Sequence, residues 1–571
     1  MNTQTPQLLI RPGLDPATAE GKPPLPSLEH ATADLGGLTV ERNAAIPMRD
    51  GIRIYADIYR PAGVDRDLPV LLAWGPYGKH NQKDMLWPSA GIEPGWMSPL
   101  TGFEAPDPRY WCRNGYAVAY VDPRGMWHSE GNGVHNGPQE AEDVFDAIEW
   151  LGAADWSNGR VGMLGVSYLA GIQYIAGAMQ PPSLKAISPW ECFSDWYREF
   201  CYHGGIPETG FIPRASRNMR YSLASTEDTE ANVAANPLMS DYYRNRYPDL
   251  TRIQVPAFVV ASWSDHGLHT RGTLEAFDKM SSAQKWLRVH GQKKWRYFYD
   301  PENVEAQRVF FDYYLLDKGP GPLAWPRVHL EVLDTAETMH TRSDISWPVP
   351  ETQAVRLYAG LENRTLASRV PAAAARTTFD PMVESLDLEY VFEEPVDLVG
   401  PMRLRLVLQA DEAEDADIFV AVRKFTRDGA EVRFAFNALF EDGPVALGWL
   451  RASHQPLDEE RSTELRPVHL HLAEEPLIPG EPRVLDVEVW PSGVHFARGE
   501  KLVLSILGHD FVYRDPDLNS PVIRHADLRN RGTWTVHSGP GAETYLAIPL
   551  FRPVPGSAEP SPQPTNDEVH P

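Results

Sequence analysis

The chain has 571 residues, with 53 Lys and Arg against 78 Asp and Glu for a formal charge of −25. That length exceeds one ordinary domain, the 42% apolar and 23% charged composition excludes global disorder, and the acidic balance disfavours nucleic acid and anionic membranes as partners. Apolar runs such as residues 256–261 fall far short of the ~20 residues that span a bilayer, three cysteines (Cys112, Cys192, Cys201) support neither a disulfide framework nor a zinc cluster, and the N-terminus lacks a signal-peptide pattern, so the expectation is a soluble, cytoplasmic protein.

In chain order, residues 1–37 are rich in Pro, Ala and Thr, have no sustained period and read as an N-terminal arm. Residues 52–59 (IRIYADIY) alternate like a half-buried strand. Residues 69–73, 117–121, 161–164 and 256–261 are short, apolar and bounded by turn residues, as strands buried on both faces are. Residues 140–151 set Val144, Ile148 and Leu151 on one helical face, with Glu140, Glu142 and Asp143 in the first turn, where carboxylates favour a helix N-terminus. This alternation predicts an α/β domain with a mainly parallel sheet over 38–189 and 251–345. The aromatic and polar stretch 190–250 interrupts it and reads as a mostly helical cap, inserted at a strand's C-terminal end where it can cover a site. Beyond about residue 350 helical periodicity fades. Alternating runs at 402–408, 418–422, 432–436, 484–490 and 502–507, separated by Asp428-Gly429, Asp442-Gly443 and Ser492-Gly493, predict an all-β sandwich or jelly roll over 346–553. A polar, Pro-rich tail follows at 554–571.

The sharpest local feature is Gly165-Val166-Ser167, where a buried strand runs into an apolar helix. A nucleophile elbow requires that context: small flanking residues let the serine sit on a strained turn above the sheet, with its Oγ near helix N–H groups that favour an oxyanion. Gly-x-Ser-x-Gly would end in glycine, and here the position is Leu169. Ser167 then needs an acid and a base, in the chain order Ser, acid, His. Asp265 follows the apolar run at 256–261 and fits the acid. His290, after the next apolar stretch, is the favoured base; His266 and His269 are its rivals, placed closer to Asp265 than a base on a separate loop would be. His266 and His269 lack a third ligand and an HExxH pattern, so no metal is inferred. His203-Gly204-Gly205 has the look of a Gly-rich oxyanion loop but follows the nucleophile, the wrong side of it in the chain.

Several blocks together resemble the CocE/NonD family, which holds cocaine esterase, X-Pro dipeptidyl peptidases and α-amino-acid ester hydrolases. They are Met48-Arg49-Asp50-Gly51-Ile52 with Tyr59-Arg60-Pro61; Gly75-Pro76-Tyr77-Gly78; Asp122-Pro123-Arg124-Gly125 through Ser129-Glu130-Gly131; Asp155-Trp156-Ser157-Asn158-Gly159-Arg160-Val161-Gly162 leading to Gly165-Val166-Ser167-Tyr168; and Trp263-Ser264-Asp265. The resemblance implies an α/β-hydrolase with a helical cap and a C-terminal jelly roll. It also implies Ser167 as nucleophile, Asp265 as acid, and an oxyanion hole from the Tyr77 hydroxyl and the Tyr168 backbone N–H. The family's Gly-Val-Ser-Tyr-x-Gly ends in Ala170 here. Its Gly-Pro-Trp-x-His base motif is absent, the corresponding stretch reading Val289-His290-Gly291-Gln292-Lys293-Lys294-Trp295.

The expected activity is hydrolysis of a small acyl ester, or an amide, through an acyl-enzyme, with no cofactor or metal implied. Removal of X-Pro dipeptides or hydrolysis of α-amino esters is the alternative; it needs an acidic pocket for the substrate ammonium, which Glu191, Asp195, Glu199 and Glu208 could supply. A catalytically inactive fold with a binding role is the third reading. The expected partner is a small-molecule ester or a short peptide, and the chain is expected to be a monomer or homodimer.

Overall fold

The computed structural model describes residues 8–18, 25, 27–81, 88–511 and 523–551, so the tail at 554–571 lies outside the described residues. Besides the short edge strand Ala31–Asp34, the first sheet contains β1 (Leu38–Pro47), β2 (Arg53–Pro61), β3 (Leu68–Trp74), β4 (Ala117–Asp122), β5 (Ser157–Val166), β6 (Leu184–Trp190), β7 (Ala257–Ser262), β8 (Lys285–His290), β9 (Val328–Leu333) and β10 (Met339–Asp344). Their spatial order is β1-β2-β4-β3-β5-β6-β7-β8-β9-β10. The ladder is parallel from β4 to β9 and antiparallel at both edges. Every residue of β3, β4 and β7 is buried, as parallel strands covered on both faces by helices must be. The covering helices include α1 (Pro138–Gly152), α2 (Tyr168–Met179), α3 (Thr270–Lys279), α4 (Lys294–Tyr299) and α5 (Pro301–Leu316). A Cβ on Gly162 of β5 would lie 2.7 Å from the Phe311 ring of α5, so glycine there lets helix and strand approach closely.

The N-terminal segment is held in place despite its composition. Residues Ile10–Pro12 pair antiparallel with Ser225–Glu227 of the cap, and Ala31–Asp34 pair with the start of β1. Arg11 adds ion pairs to Asp228 and Glu230. The cap itself is less helical than its sequence suggests. It combines a six-residue π-helical turn (Trp196–Cys201), helices Phe211–Asn218, Thr229–Ala235 and Asp241–Arg244, and a short hairpin of Tyr202–His203 with Ile206–Pro207. That hairpin abuts the C-terminal domain, where a Cβ on Gly204 would strike the Trp449 carbonyl at 2.1 Å.

The C-terminal domain is all-β. Long strands Val396–Ala410 and Arg483–Phe496 pair over most of their length, and Asp417–Phe425 lies between Ala446–Arg451 and Lys501–Leu507. The turn expected at Ser492-Gly493 is instead part of a ladder inside Arg483–Phe496, the two residues pairing with Gly400 and Val399, and a bulge lies just before them, where Trp490 and Pro491 oppose the single residue between Gly400 and Met402. Glycine is required at 493 because Trp263, two residues before Asp265, packs there: a Cβ would sit 2.6 Å from its indole. The Trp263 Nε1–H donates to the Glu331 carbonyl at 2.7 Å. One backbone bridge, Leu333 to Val494, continues the ladder from β9 into the C-terminal domain. Among the described residues no helix is long and apolar enough to cross a membrane.

Candidate active site

Ser167 closes β5 and precedes α2 with φ 57° and ψ −118°, a left-handed-side conformation that a non-glycine residue adopts only where its surroundings force it. Two neighbouring carbonyls do so: the Ser167 N–H donates to Trp190 O at 3.1 Å and to Glu191 O at 3.0 Å. Leu169, at the motif position where glycine was expected, is accommodated by glycines elsewhere. A Cβ on Gly75 would lie 2.4 Å from Leu169 Cδ1, and one on Gly165 would lie 2.5 Å from Leu169 Cβ. The space missing from the motif has been provided by its neighbours.

The Ser167 Oγ lies 3.1 Å from His269 Nε2, and His269 Nδ1 makes a very short hydrogen bond to Asp265 Oδ2. These three buried side chains form a connected Ser–His–Asp chain. Asp265 lies in the turn after β7 and His269 is the N-cap of α3. The turn folds back on itself, the His269 N–H donating to Asp265 O at 3.1 Å, so positions four apart share one face.

His290, the base favoured from sequence, is engaged elsewhere. Its Nδ1 accepts the Gln292 N–H at 3.1 Å and its Nε2 faces Glu191 Oε1 at 3.0 Å. Its ring stacks on Tyr297 with centroids 3.7 Å apart. Both nitrogens are occupied, so no lone pair is left for a serine proton. The histidine in contact with Ser167 is one of the two rivals. The other, His266, is buried with neither ring nitrogen hydrogen-bonded.

The ammonium of Lys294, at the start of α4, lies 3.3 Å from Asp265 Oδ2 and 3.3 Å from His269 Nδ1. Sequence reasoning did not single it out. Burial opposes its charge, but Asp265, then Glu104 and Glu191, hold it above the ordinary lysine value. Burial likewise pushes Asp265 up, yet Lys294 and His269 bring it well below the usual carboxylate range. Burial, then Lys294, lowers His269 to about 4 against the pull of Asp265, which leaves a neutral imidazole at neutral pH. Glu104, which accepts from Trp295 Nε1 at 2.8 Å, is raised by burial to about 7.

The chain opens into a cavity walled by Tyr77, Phe103, Phe193, Trp196, Phe211 and Trp295. Tyr77 and Tyr168 line it beside Ser167, their rings 6.2 Å apart edge to face. Tyr168 is the first residue of α2, where a backbone N–H has no intrahelical acceptor. Its phenol is turned away, donating to the buried Glu140 at 2.7 Å. The Tyr77 loop is fixed by Gly78, φ 97°, on which a Cβ would meet Trp127 at 2.6 Å. The C-terminal domain reaches the same cavity through Asn437, Ala438 and Ile523.

None of the four cap carboxylates considered for an ammonium pocket lines this cavity. Glu191 meets His290, Asp195 pairs with Arg198, Glu199 pairs with Arg271, and Glu208 accepts the backbone N–H groups of Gly210, Phe211 and Ile212 at the start of a cap helix.

Residues 50–234 match the model of the X-Pro dipeptidyl-peptidase (S15 family), and residues 324–547 that of the X-Pro dipeptidyl-peptidase C-terminal non-catalytic domain. A crystal structure of a CocE/NonD family hydrolase from Staphylococcus aureus superposes with a TM-score of 0.87 at 36% identity, covering 90% of this chain and 94% of that one. The cocaine esterase of Rhodococcus sp. (strain MB1 Bresler) is 27% identical over 90% of this chain and 99% of its own length. An α-amino acid ester hydrolase, at 18% identity and a TM-score of 0.68, shares the fold.

Proposed function

The chain belongs to the CocE/NonD family of hydrolases, and on that premise we propose that it is a serine esterase in which Ser167, His269 and Asp265 cleave a small, apolar acyl ester. The observation that carries this reading is the 3.1 Å contact of Ser167 Oγ with a histidine whose other nitrogen is held by Asp265. His269 Nε2 takes the hydroxyl proton as Oγ attacks the ester carbonyl. The developing oxyanion is received by the Tyr77 hydroxyl and the Tyr168 N–H, two neutral donors in a cavity whose aromatic walls keep the local dielectric low. His269 returns the proton to the departing alcohol. It then deprotonates the water that releases the acid, while Asp265 holds the imidazole with Nδ1 protonated throughout.

An X-Pro peptidase or α-amino-ester hydrolase would need a free carboxylate for the substrate ammonium. The engagement of Glu191, Asp195, Glu199 and Glu208 with partners of their own weighs against it. Of the carboxylates that do line the cavity, Asp265 is held by His269 and Lys294 and Glu104 accepts from Trp295 and is raised by burial to about 7, while two cationic side chains, Arg214 and Lys294, line it as well. The test is turnover of a short p-nitrophenyl acyl ester beside Gly-Pro-p-nitroanilide, with Ser167→Ala in parallel. Ester hydrolysis should vanish in the variant, by about 10⁶-fold in kcat as for other serine triads, and the anilide should not be cleaved. Anilide turnover by the wild type would promote the peptidase, and activity surviving in Ser167→Ala would remove the nucleophile.

A further inference from the structure

A serine–histidine–aspartate chain needs only three residues, yet a fourth ionisable group touches two of them. The Lys294 ammonium is buried and equidistant, at 3.3 Å, from Asp265 Oδ2 and His269 Nδ1. We propose that Lys294 is a positioning residue for this triad: its ammonium, wedged against both members, fixes the carboxylate that orients the base and sets the acid limit below which the base is lost. The inference rests on the reading of His269 as that base.

The contact geometry decides the roles. Asp265 Oδ2 already accepts the His269 Nδ1–H, and its Oδ1 has no hydrogen-bond partner. An unsupported buried carboxylate holding one such bond would be drawn toward protonation or rotation about its last torsion. A lysine donating to the same Oδ2 removes both options, because the anion is neutralised on the oxygen that faces the imidazole. The same positive charge lies against Nδ1 and so opposes formation of an imidazolium in the resting enzyme.

The charges around His269 come from several elements. Asp265 lies in its own turn and Lys294 approaches from α4. Glu191 stands at the end of β6, and Glu104 in the loop whose carbonyl accepts the Val166 N–H at 3.2 Å. Arg271, the second residue of α3, is committed to Glu199 and Glu488. His266, beside Asp265 in the turn before α3, is held low by burial, at about 4. Lys294 is thus the cation that Asp265, Glu104 and Glu191 share.

The test is kcat/KM for a p-nitrophenyl ester between about pH 4 and 8 in wild type, Lys294→Arg and Lys294→Met, with the rate of Ser167 labelling by a fluorophosphonate as a second readout. Wild type and Lys294→Arg should both keep activity down to the acid end. In Lys294→Met the acid limb should move up by about one pH unit or more, toward the ordinary histidine range, in both readouts. Should Lys294→Met not fold with its carboxylates uncompensated, the double variant Lys294→Met, Glu104→Gln removes one acid with the cation, and its limb should move likewise. A limb that stays in place, whatever happens to the plateau, would overturn the proposal and reduce Lys294 to a packing role. Full activity in His269→Gln would instead remove the base on which the proposal rests and would overturn both readings at once.

Discussion

The turn after β7 and the last residue of β8 make an instructive pair. Each presents a histidine with no exposed surface, set against a carboxylate and depressed by burial to about 4. By burial, charge and partner type His269 and His290 are alike. They differ in what their second nitrogen does. His269 spends Nδ1 on Asp265 and turns Nε2 to Ser167, whereas His290 spends Nε2 on Glu191 and Nδ1 on the Gln292 N–H. Counting hydrogen bonds at each nitrogen separates a base from a structural imidazole where burial and electrostatics do not.

The contrast can be broken most directly at the histidines themselves. His269→Gln should lower kcat/KM by about 10⁴- to 10⁶-fold and, since it breaks the buried pair with Asp265, should also lose about 1–3 kcal/mol of stability. His290→Gln should stay within about tenfold in activity but lose stability, by about 1–3 kcal/mol, as a buried hydrogen-bonded pair is broken. Steady-state kinetics with a melting curve for each variant checks both, and the reverse pattern would exchange the two roles. The carboxylates come next. Asp265→Asn should cost about 10⁴-fold through the wrong imidazole tautomer, whereas Glu191→Gln keeps an oxygen for the His290 Nε2–H and should change kcat by less than about tenfold. A smaller effect sharpens the comparison from the substrate side. If the working pair is the one after β7, an oxyanion donor must stand beside Ser167, and Tyr77→Phe should lower kcat by about 10²-fold with KM little moved. An equal rise in KM with kcat intact would give Tyr77 a binding role instead.

The nucleophile elbow was legible because its demands are local: a buried strand, small residues at 165 and 170, and an apolar helix within a dozen positions. The alternation of 38–189 likewise announced the sheet. The base was not legible, since the residues after Asp265 return onto it only when the turn closes through the His269 N–H, and a spacing of four gives no sign of that. Nor could the sequence reveal that Leu169 is tolerated because Gly75, nearly a hundred positions away, leaves it room. Ser492-Gly493 carried turn chemistry, but long-range pairing with Gly400 and Val399 draws it into a strand. For Leu169 and Ser492-Gly493 the deciding partner lies far along the chain, where no local pattern can point to it.

The strand at Ile10–Pro12 has a consequence in time. Its partner in the cap lies roughly 215 residues downstream, so at ~5–20 residues per second the segment leaves the ribosome on the order of ten seconds or more before it can pair. The sheet strands β1 to β6 have all been made by then. The arm therefore latches onto a half-built sheet: β7 to β10, and with them the turn that carries Asp265 and His269, are synthesised only after its partner in the cap.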